Sequence, residues 1–409
     1  MLIARALGPA GNGRYALAMT IGTMAALVAG LGFEQAQAKA WSGAQRSRAE
    51  LVGAALHVGA TTGGGVALLL VALWTAGSAG VFDGLGLLTA ILIVAALVPL
   101  RVLLALLRGL LIVGGQLERS NLALAAGDLA RTLVIVALAL AGALSVETAV
   151  ATFWVATLVA LALHARPAGR PRRAPAGFVR AQLREGALMS PYFAFVFLNL
   201  RLDVLLLAAL STPRSVGVYA VAVIFAELVW LATDAVSTGA RERQWGTSDG
   251  DAAAMTAAAA RMSALVALLA LPVLAVAAPV AIHLVFGRAF AGATDALWAL
   301  LPAAVAMAWW RALGAGLVRF GRPRVVNAIA MSALVANVVL NVCLIGPLGI
   351  VGAALASLGS YLLGAALAAS AFARGRVRLR DLLPGAGDLH RLAVFARAAP
   401  APGRARRRG

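Results

Sequence analysis

Long apolar runs separated by short polar turns dominate the chain. They fall near 14–35, 51–78, 84–107, 121–143, 145–164, 187–210, 214–238, 258–285, 294–317, 322–346 and 349–373. Each is long enough to cross a ~30 Å hydrocarbon core as a helix, since a span takes about 20 residues and must satisfy its backbone polar groups internally. The pattern predicts eleven spans and an all-α polytopic membrane protein. Gly63-Gly64-Gly65 in the second segment, and Pro272 and Pro279 in the eighth, predict local kinks.

Composition narrows the function. Of 409 residues, 62% are apolar and only 12% charged, against ~45–50% and ~25% in an average soluble domain. The one lysine, Lys39, precedes Ala40, so no Gly-Lys-Ser/Thr phosphate loop exists. The lone Cys343 excludes disulfide frameworks and cysteine zinc sites. His57, His164, His283 and His390 are scattered singly, and no cofactor is expected. Gly246-Thr247-Ser248-Asp249-Gly250 matches a nucleophile-elbow motif by letter. It sits in a polar loop between two apolar helices, whereas an elbow needs a strand before it.

The basic residues follow the topology. One set of loops holds Lys39, Arg46 and Arg48, then Arg108 and Arg119, then Arg166, Arg170, Arg172, Arg173, Arg180 and Arg184. It continues with Arg241 and Arg243, then Arg319, Arg322 and Arg324, and ends in an arginine-rich tail. The opposite loops are short and hold little beyond Arg14, Arg214 and Arg288. Basic short loops mark the cytoplasmic side, which places the C-terminus inside. The net charge of +19 therefore reflects orientation, not nucleic-acid binding. The tail is expected to lie on anionic membrane lipids.

A repeat runs through the chain. Residues 9–18 and 213–222 both fit P-x-x-x-G-x-Y-A-x-A, pairing Gly13 with Gly217 and Tyr15 with Tyr219, an offset of 217 − 13 = 204 residues. Two parallel six-helix lobes follow from it. The expected division is an N-terminal lobe at 1–164, a basic cytoplasmic linker at 165–186, a C-terminal lobe at 187–373 and a basic tail at 374–409. The first lobe then has five spans, so the chain is expected to lack its first helix, through a misassigned start or a truncation.

Three stretches carry a family resemblance. Ala4-Arg5-Ala6-Leu7-Gly8-Pro9 with Gly13-Arg14-Tyr15-Ala16 resembles the first turn of bacterial polysaccharide-biosynthesis and O-antigen flippases, within the multidrug/oligosaccharidyl-lipid/polysaccharide exporter superfamily. Arg201-Leu202-Asp203-Val204-Leu205-Leu206 with Gly217-Val218-Tyr219-Ala220 resembles the start of that family's second lobe, and Gly346 to Ala354 its last inter-helix turn. The resemblance implies two lobes around a cavity that opens alternately to each side of the inner membrane. The implied cargo is a polyprenyl-pyrophosphate-linked oligosaccharide, whose polar headgroup cannot enter hydrocarbon unaided. A partner polysaccharide polymerase docking on the tail is left open.

Ionisable groups inside spans are the candidates for that work. Arg201 reads either as a pyrophosphate grip or as half of an inter-helix salt bridge. Asp203 is two positions on, not on the same face. Arg311 beside Trp309 and Trp310 suits phosphate binding with sugar stacking on Trp310, or an interfacial anchor. Asp128 and Arg131, at i and i+3, are placed to pair; Arg131 is a further anion candidate. Glu227 and Asp234, two turns apart, suit ion coupling along with Asp203 and Asp128, or neutralise Arg201 and Arg311. Arg101 lies near enough to the inside to snorkel. Asn327, Asn337 and Asn341 line the cavity or bridge helices. A drug antiporter of the same superfamily would favour an acidic cavity, and a membrane glycosyltransferase or ligase a large outside loop with catalytic acids. The outside loops here are short.

Overall fold

The structure is a computed structural model. It describes all residues except 31, 43–45, 76–87, 190, 245–248, 375–376, 386 and 390–409. For 35, 38, 42, 74–75, 88–93, 188–189, 193, 231–232, 234–244, 249 and 319 it describes the backbone alone. The elbow-like pentapeptide and the end of the tail, Arg406 to Arg408, thus fall largely or wholly outside the described residues.

Every regular element among the described residues is helical. The first lobe expected from the sequence holds α1 (Leu2–Gly30), α2 (Phe33–Ser42), α3 (Arg48–Val58), α4 (Gly64–Thr75), α5 (Leu88–Val113), α6 (Leu117–Leu140) and α7 (Val146–Ala168). Then come α8 (Ala176–Met189), α9 (Pro191–Leu210), α10 (Pro213–Gln244), α11 (Asp249–Ala281), α12 (Ala293–Arg319) and α13 (Pro323–Ala373). Eight helical stretches among the described residues are long and apolar enough to cross a membrane. The longest, α13, has 51 residues and is kinked at Gly349, whose φ of 57° lies in the left-handed region. That kink falls at the turn expected between 346 and 349.

Local signals behave as their chemistry dictates. Ser47 caps α3 by accepting from the Glu50 amide at 3.4 Å while its own amide donates to the Glu50 carboxylate at 3.1 Å. The glycine-rich stretch after α3 forms a π turn, Gly59–Gly63, that carries straight into α4. The two prolines of α11 do not end it, and it leads into a second π turn, Ile282–Phe286.

Two expectations shift. The basic stretch 165–186 is helical from Ala176, and α8 packs on α2 through the Lys39–Glu185 ion pair. Arg46 lies 5.3 Å from the centre of the Phe178 ring. The described first part of the tail folds back on the protein. Leu382 is fully buried, the Trp309 indole donates to its carbonyl at 3.2 Å, and Arg261 bridges Asp388 at 3.0 Å and the Asp381 carbonyl at 2.6 Å. Apolar Leu382 and the acids Asp381 and Asp388 anchor this segment.

Helix α1 ties the molecule together. Ala4 joins a core built round Tyr219, Phe225, Phe286 and Phe290, whereas Ala25 and Ala29 join another round Phe33, Leu106 and Leu110. Where α1 crosses α10 the two matching motifs meet. A Cβ on Gly13 would lie 1.8 Å from the Pro213 carbonyl oxygen, and one on Gly217 would lie 1.8 Å from that of Pro9. Asn12, buried beside them, donates from Nδ2 to the Gly217 carbonyl at 2.9 Å. Only a residue without a side chain fits at either position.

Asp203 fastens α9 to α10 and to the second half of α13. Its buried carboxylate accepts from the Tyr219 hydroxyl, from the Val204 amide at 2.8 Å and from Ser357 Oγ at 3.3 Å. On α13, Asn337 donates to Ser360 at 3.2 Å and Asn341 to the Asn337 carbonyl at 2.8 Å. These two asparagines are packing groups, and Asn327 is half-buried.

Gly13→Ala and Gly217→Ala are each expected to destabilise the purified protein by about 1–3 kcal/mol or more through overpacking. Gly64→Ala, whose Cβ meets nothing within 4 Å, is expected to be neutral or stabilising by about 0.4–1 kcal/mol. Denaturation in detergent compares all three. Asp203→Ala strands the Tyr219 and Ser357 hydroxyls, at about 1–3 kcal/mol for each buried donor left unpaired. The same unfolding measurement should show it well below Glu227→Ala.

Candidate functional site

A cavity of about 550 Å³ lies beyond the glycine crossing. On α1 it reaches from Asn12 to Thr23, and on α10 from Ala220 to Glu227. Arg131 of α6, Phe153 of α7, and Arg201 and Val204 of α9 complete the wall. From Gly217 to Glu227 is 227 − 217 = 10 residues, about 15 Å along a helix, so Glu227 lies roughly half a hydrocarbon core below the crossing.

Three residues singled out in the sequence come together here: Arg131, Arg201 and Glu227. Arg201 Nη1 sits 2.8 Å from Glu227 Oε1, with both side chains about 30% exposed to the cavity (31% and 29%). The inter-helix pairing open to Arg201 is the arrangement found, and its partner is Glu227, not its near neighbour Asp203.

Arg131 is held differently. Its Nη2 donates to the Tyr15 hydroxyl at 2.5 Å and its Nε to Thr152 Oγ1 at 3.3 Å. The guanidinium lies 3.7 Å from the centre of the Phe153 ring, a cation–π distance. Among the described residues it forms no ion pair with Asp128, which is exposed on α6. The expected i, i+3 pair does not form because the arginine turns towards α1 and α7, where a hydroxyl and a ring are in reach. Arg101 on α5 also approaches Phe153, at 5.8 Å from the ring centre. Two cations thus converge on one aromatic ring. Neutral groups hold Arg131, whereas a carboxylate meets Arg201.

The remaining candidates lie elsewhere. Trp310 is 1% exposed and packs in the core with its ring against Gly364, where a Cβ would come within 2.6 Å of it. It is not a stacking surface in this cavity. Arg311 is half-buried on α12 and is not among the described lining residues. Asp203 is buried in its hydroxyl network behind the wall. The Asp234 side chain lies outside the described residues.

Sequence reasoning missed Tyr15 and Phe153 as site groups. The signal for Tyr15 was the repeat itself. Tyr15 meets Arg131 in the cavity, whereas its counterpart Tyr219 meets Asp203 in the core. Nothing in local spacing marked Phe153, which joins the site from a different helix.

Comparison with known proteins agrees with this architecture. An inward-facing multidrug resistance MATE family transporter of the MOP superfamily is 16% identical, with a TM-score of 0.69 over 93% of this chain and 94% of that one. The lipid II flippase MurJ in an inward closed conformation is 11% identical, with a TM-score of 0.72 over 98% and 91%. A MATE protein in a bent conformation gives 0.63 at 15% identity, over 93% and 95%. These likenesses show the fold. No curated protein matches in sequence. A family model described as polysaccharide biosynthesis protein matches residues 1–229, more than half of the 409, and the chain belongs to that family.

Proposed function

We propose that this multi-pass membrane protein is a flippase for a polyprenyl-pyrophosphate-linked oligosaccharide or polysaccharide precursor. It works in the bacterial cytoplasmic membrane, with its C-terminus in the cytoplasm, by alternating access between lobes at 1–164 and 187–373. The observation that carries this reading is the cavity between α1, α6, α7, α9 and α10, whose lining holds Arg131 and Arg201 against the single acid Glu227. The family membership and the MurJ-like fold support it.

The residues divide the labour. Arg131, cradled by Tyr15, Thr152 and Phe153, is fixed in orientation and carries a charge that none of these partners neutralises. A pyrophosphate meets it through charge-assisted hydrogen bonds. Arg101 adds a second cation across the ring, suited to a diphosphate. Arg201 is the exchangeable group. When an anion takes its guanidinium, Glu227 loses its partner, and an unpaired carboxylate in a part-dry cavity binds a proton or a cation. Cargo binding and ion binding are linked through that exchange. The lipid tail stays in the bilayer while the polar headgroup uses the cavity. Arg311 and Trp310, outside the cavity wall, take no direct part. A drug antiporter of the same fold would put its cation on Glu227, but Arg201 already occupies that carboxylate.

Two measurements test this. In a flippase-deficient strain, Arg131→Ala should cut transfer of lipid-linked oligosaccharide by about tenfold or more, the worth of one charged hydrogen bond. Transfer at the wild-type rate by a stably inserted Arg131→Ala protein sinks the anion grip. In proteoliposomes, Glu227→Gln should still flip cargo down its gradient but lose its response to an imposed proton or sodium gradient. A Glu227→Gln protein that keeps the wild-type gradient response refutes the linkage.

A further inference from the structure

A second cavity, of about 480 Å³, lies well apart from the first, where the basic stretch before α8 crosses α3. Gly53 and His57 line it from one helix, and Arg173 to Ala176 with Val179 line it from the other side. The crossing is built. The Arg172 amide donates to the Ala49 carbonyl at 2.8 Å, and a Cβ on Gly53 would lie 1.9 Å from the Arg172 carbonyl oxygen. The Lys39–Glu185 ion pair and the approach of Arg46 to Phe178 hold α8 down behind it. Arg173, on a strap pinned to the helix, and His57, on the helix itself, thereby line one cavity.

The lining contains no acid. Both ionisable side chains, Arg173 and His57, are exposed, and neither makes an ion pair or side-chain hydrogen bond among the described residues. The cavity's depth also points to an occupant. Gly53 comes five residues after Arg48, where the membrane-crossing stretch Arg48–Leu73 begins, so it lies about 7.5 Å in along the helix. The 26-residue stretch is about 39 Å long as a helix, close to the ~40–45 Å of a bilayer with its headgroup layers, so its first turns lie at headgroup level. Leu56, next to His57, is 40% exposed, and Leu68 and Leu69 further along are more so. A cationic pocket at headgroup depth therefore opens above a lipid-facing apolar flank.

We propose that this cavity is a binding site for the phosphate headgroup of an anionic phospholipid in the leaflet facing α8, gripped by Arg173 and His57. The acyl chains run down the flank that begins at Leu56. The site is separate from the transport cavity, and it requires only that the stretch Arg48–Leu73 crosses a bilayer, not that the cargo is a lipid-linked sugar.

Native mass spectrometry of the full chain, purified with phosphatidylglycerol or with phosphatidylcholine, reads the site directly. The wild type should retain one phosphatidylglycerol more tightly than any phosphatidylcholine. Arg173→Gln with His57→Ala should weaken that retention by about tenfold, while Arg184→Gln, an exposed arginine of α8 outside the pocket, should not. Gly53→Ala, which must push the strap aside, should weaken it with Arg173 and His57 both still present. Equal retention by the double variant and the wild type overturns the site. An equal loss in Arg184→Gln reduces it to general surface charge and overturns it as well. Inorganic phosphate that displaces the lipid at millimolar concentration would make the occupant a soluble phosphate and overturn the lipid assignment.

Discussion

Everything about the central cavity depends on how closely α1 and α10 approach. With glycine at 13 and at 217, backbone meets backbone at one point of the crossing and Asn12 can reach the Gly217 carbonyl. The cavity lies beyond that point, lined from Asn12 to Thr23 of α1 and from Ala220 to Glu227 of α10. Larger residues at the crossing would separate the helices along their whole length and leave a cleft with no closed end. The closure is local and depends on van der Waals fit.

Charge inside the membrane is the second constraint. An isolated ion in hydrocarbon is costly, and the structure deals with its ions in three distinct ways. Asp203 is surrounded by hydrogen-bond donors and buried, which makes it a fastener. Arg201 and Glu227 pair while remaining part-exposed to the cavity. Arg131 is held by a hydroxyl pair and a ring, so its position is fixed while its charge is not cancelled. The tyrosines of the two motifs follow the same division, one beside the open cation and one inside the fastener. The two motifs share the backbone contact at the glycines and differ in what each tyrosine touches.

Helix content and the approximate ends of the apolar segments were legible because they depend on composition and periodicity alone. The meeting of residues 13 and 217 was foreshadowed by the repeated motif, since glycine at matching positions of two helices is the usual mark of close approach. Arg201, Arg131 and Glu227 were legible as costly ions, but their partners were not. Same-helix spacing suggested Asp128 for Arg131, whereas the arginine reaches Tyr15, 116 residues away in sequence. A long flexible side chain chooses among neighbours that tertiary packing supplies, and no local rule names them. Trp310 shows the converse. Its place beside Arg311 suggested a binding pair, yet Gly364 on α13 opens a slot for the ring, and burying so large an apolar surface outweighs presenting it to a cavity.

The depth of the exchangeable pair completes the picture. Ten residues, about 15 Å of helix, separate the crossing from Glu227, so on the proposed reading a cargo anion at Arg201 would sit within a membrane span. There the low surrounding polarity strengthens whichever partner the arginine holds and weakens the position of the one displaced. Near either face, water would compensate a freed carboxylate and the exchange would cost little, so binding one ligand would scarcely alter affinity for the other. Within the span the carboxylate must find a new partner, and it is this requirement that can turn two binding events into one linked step.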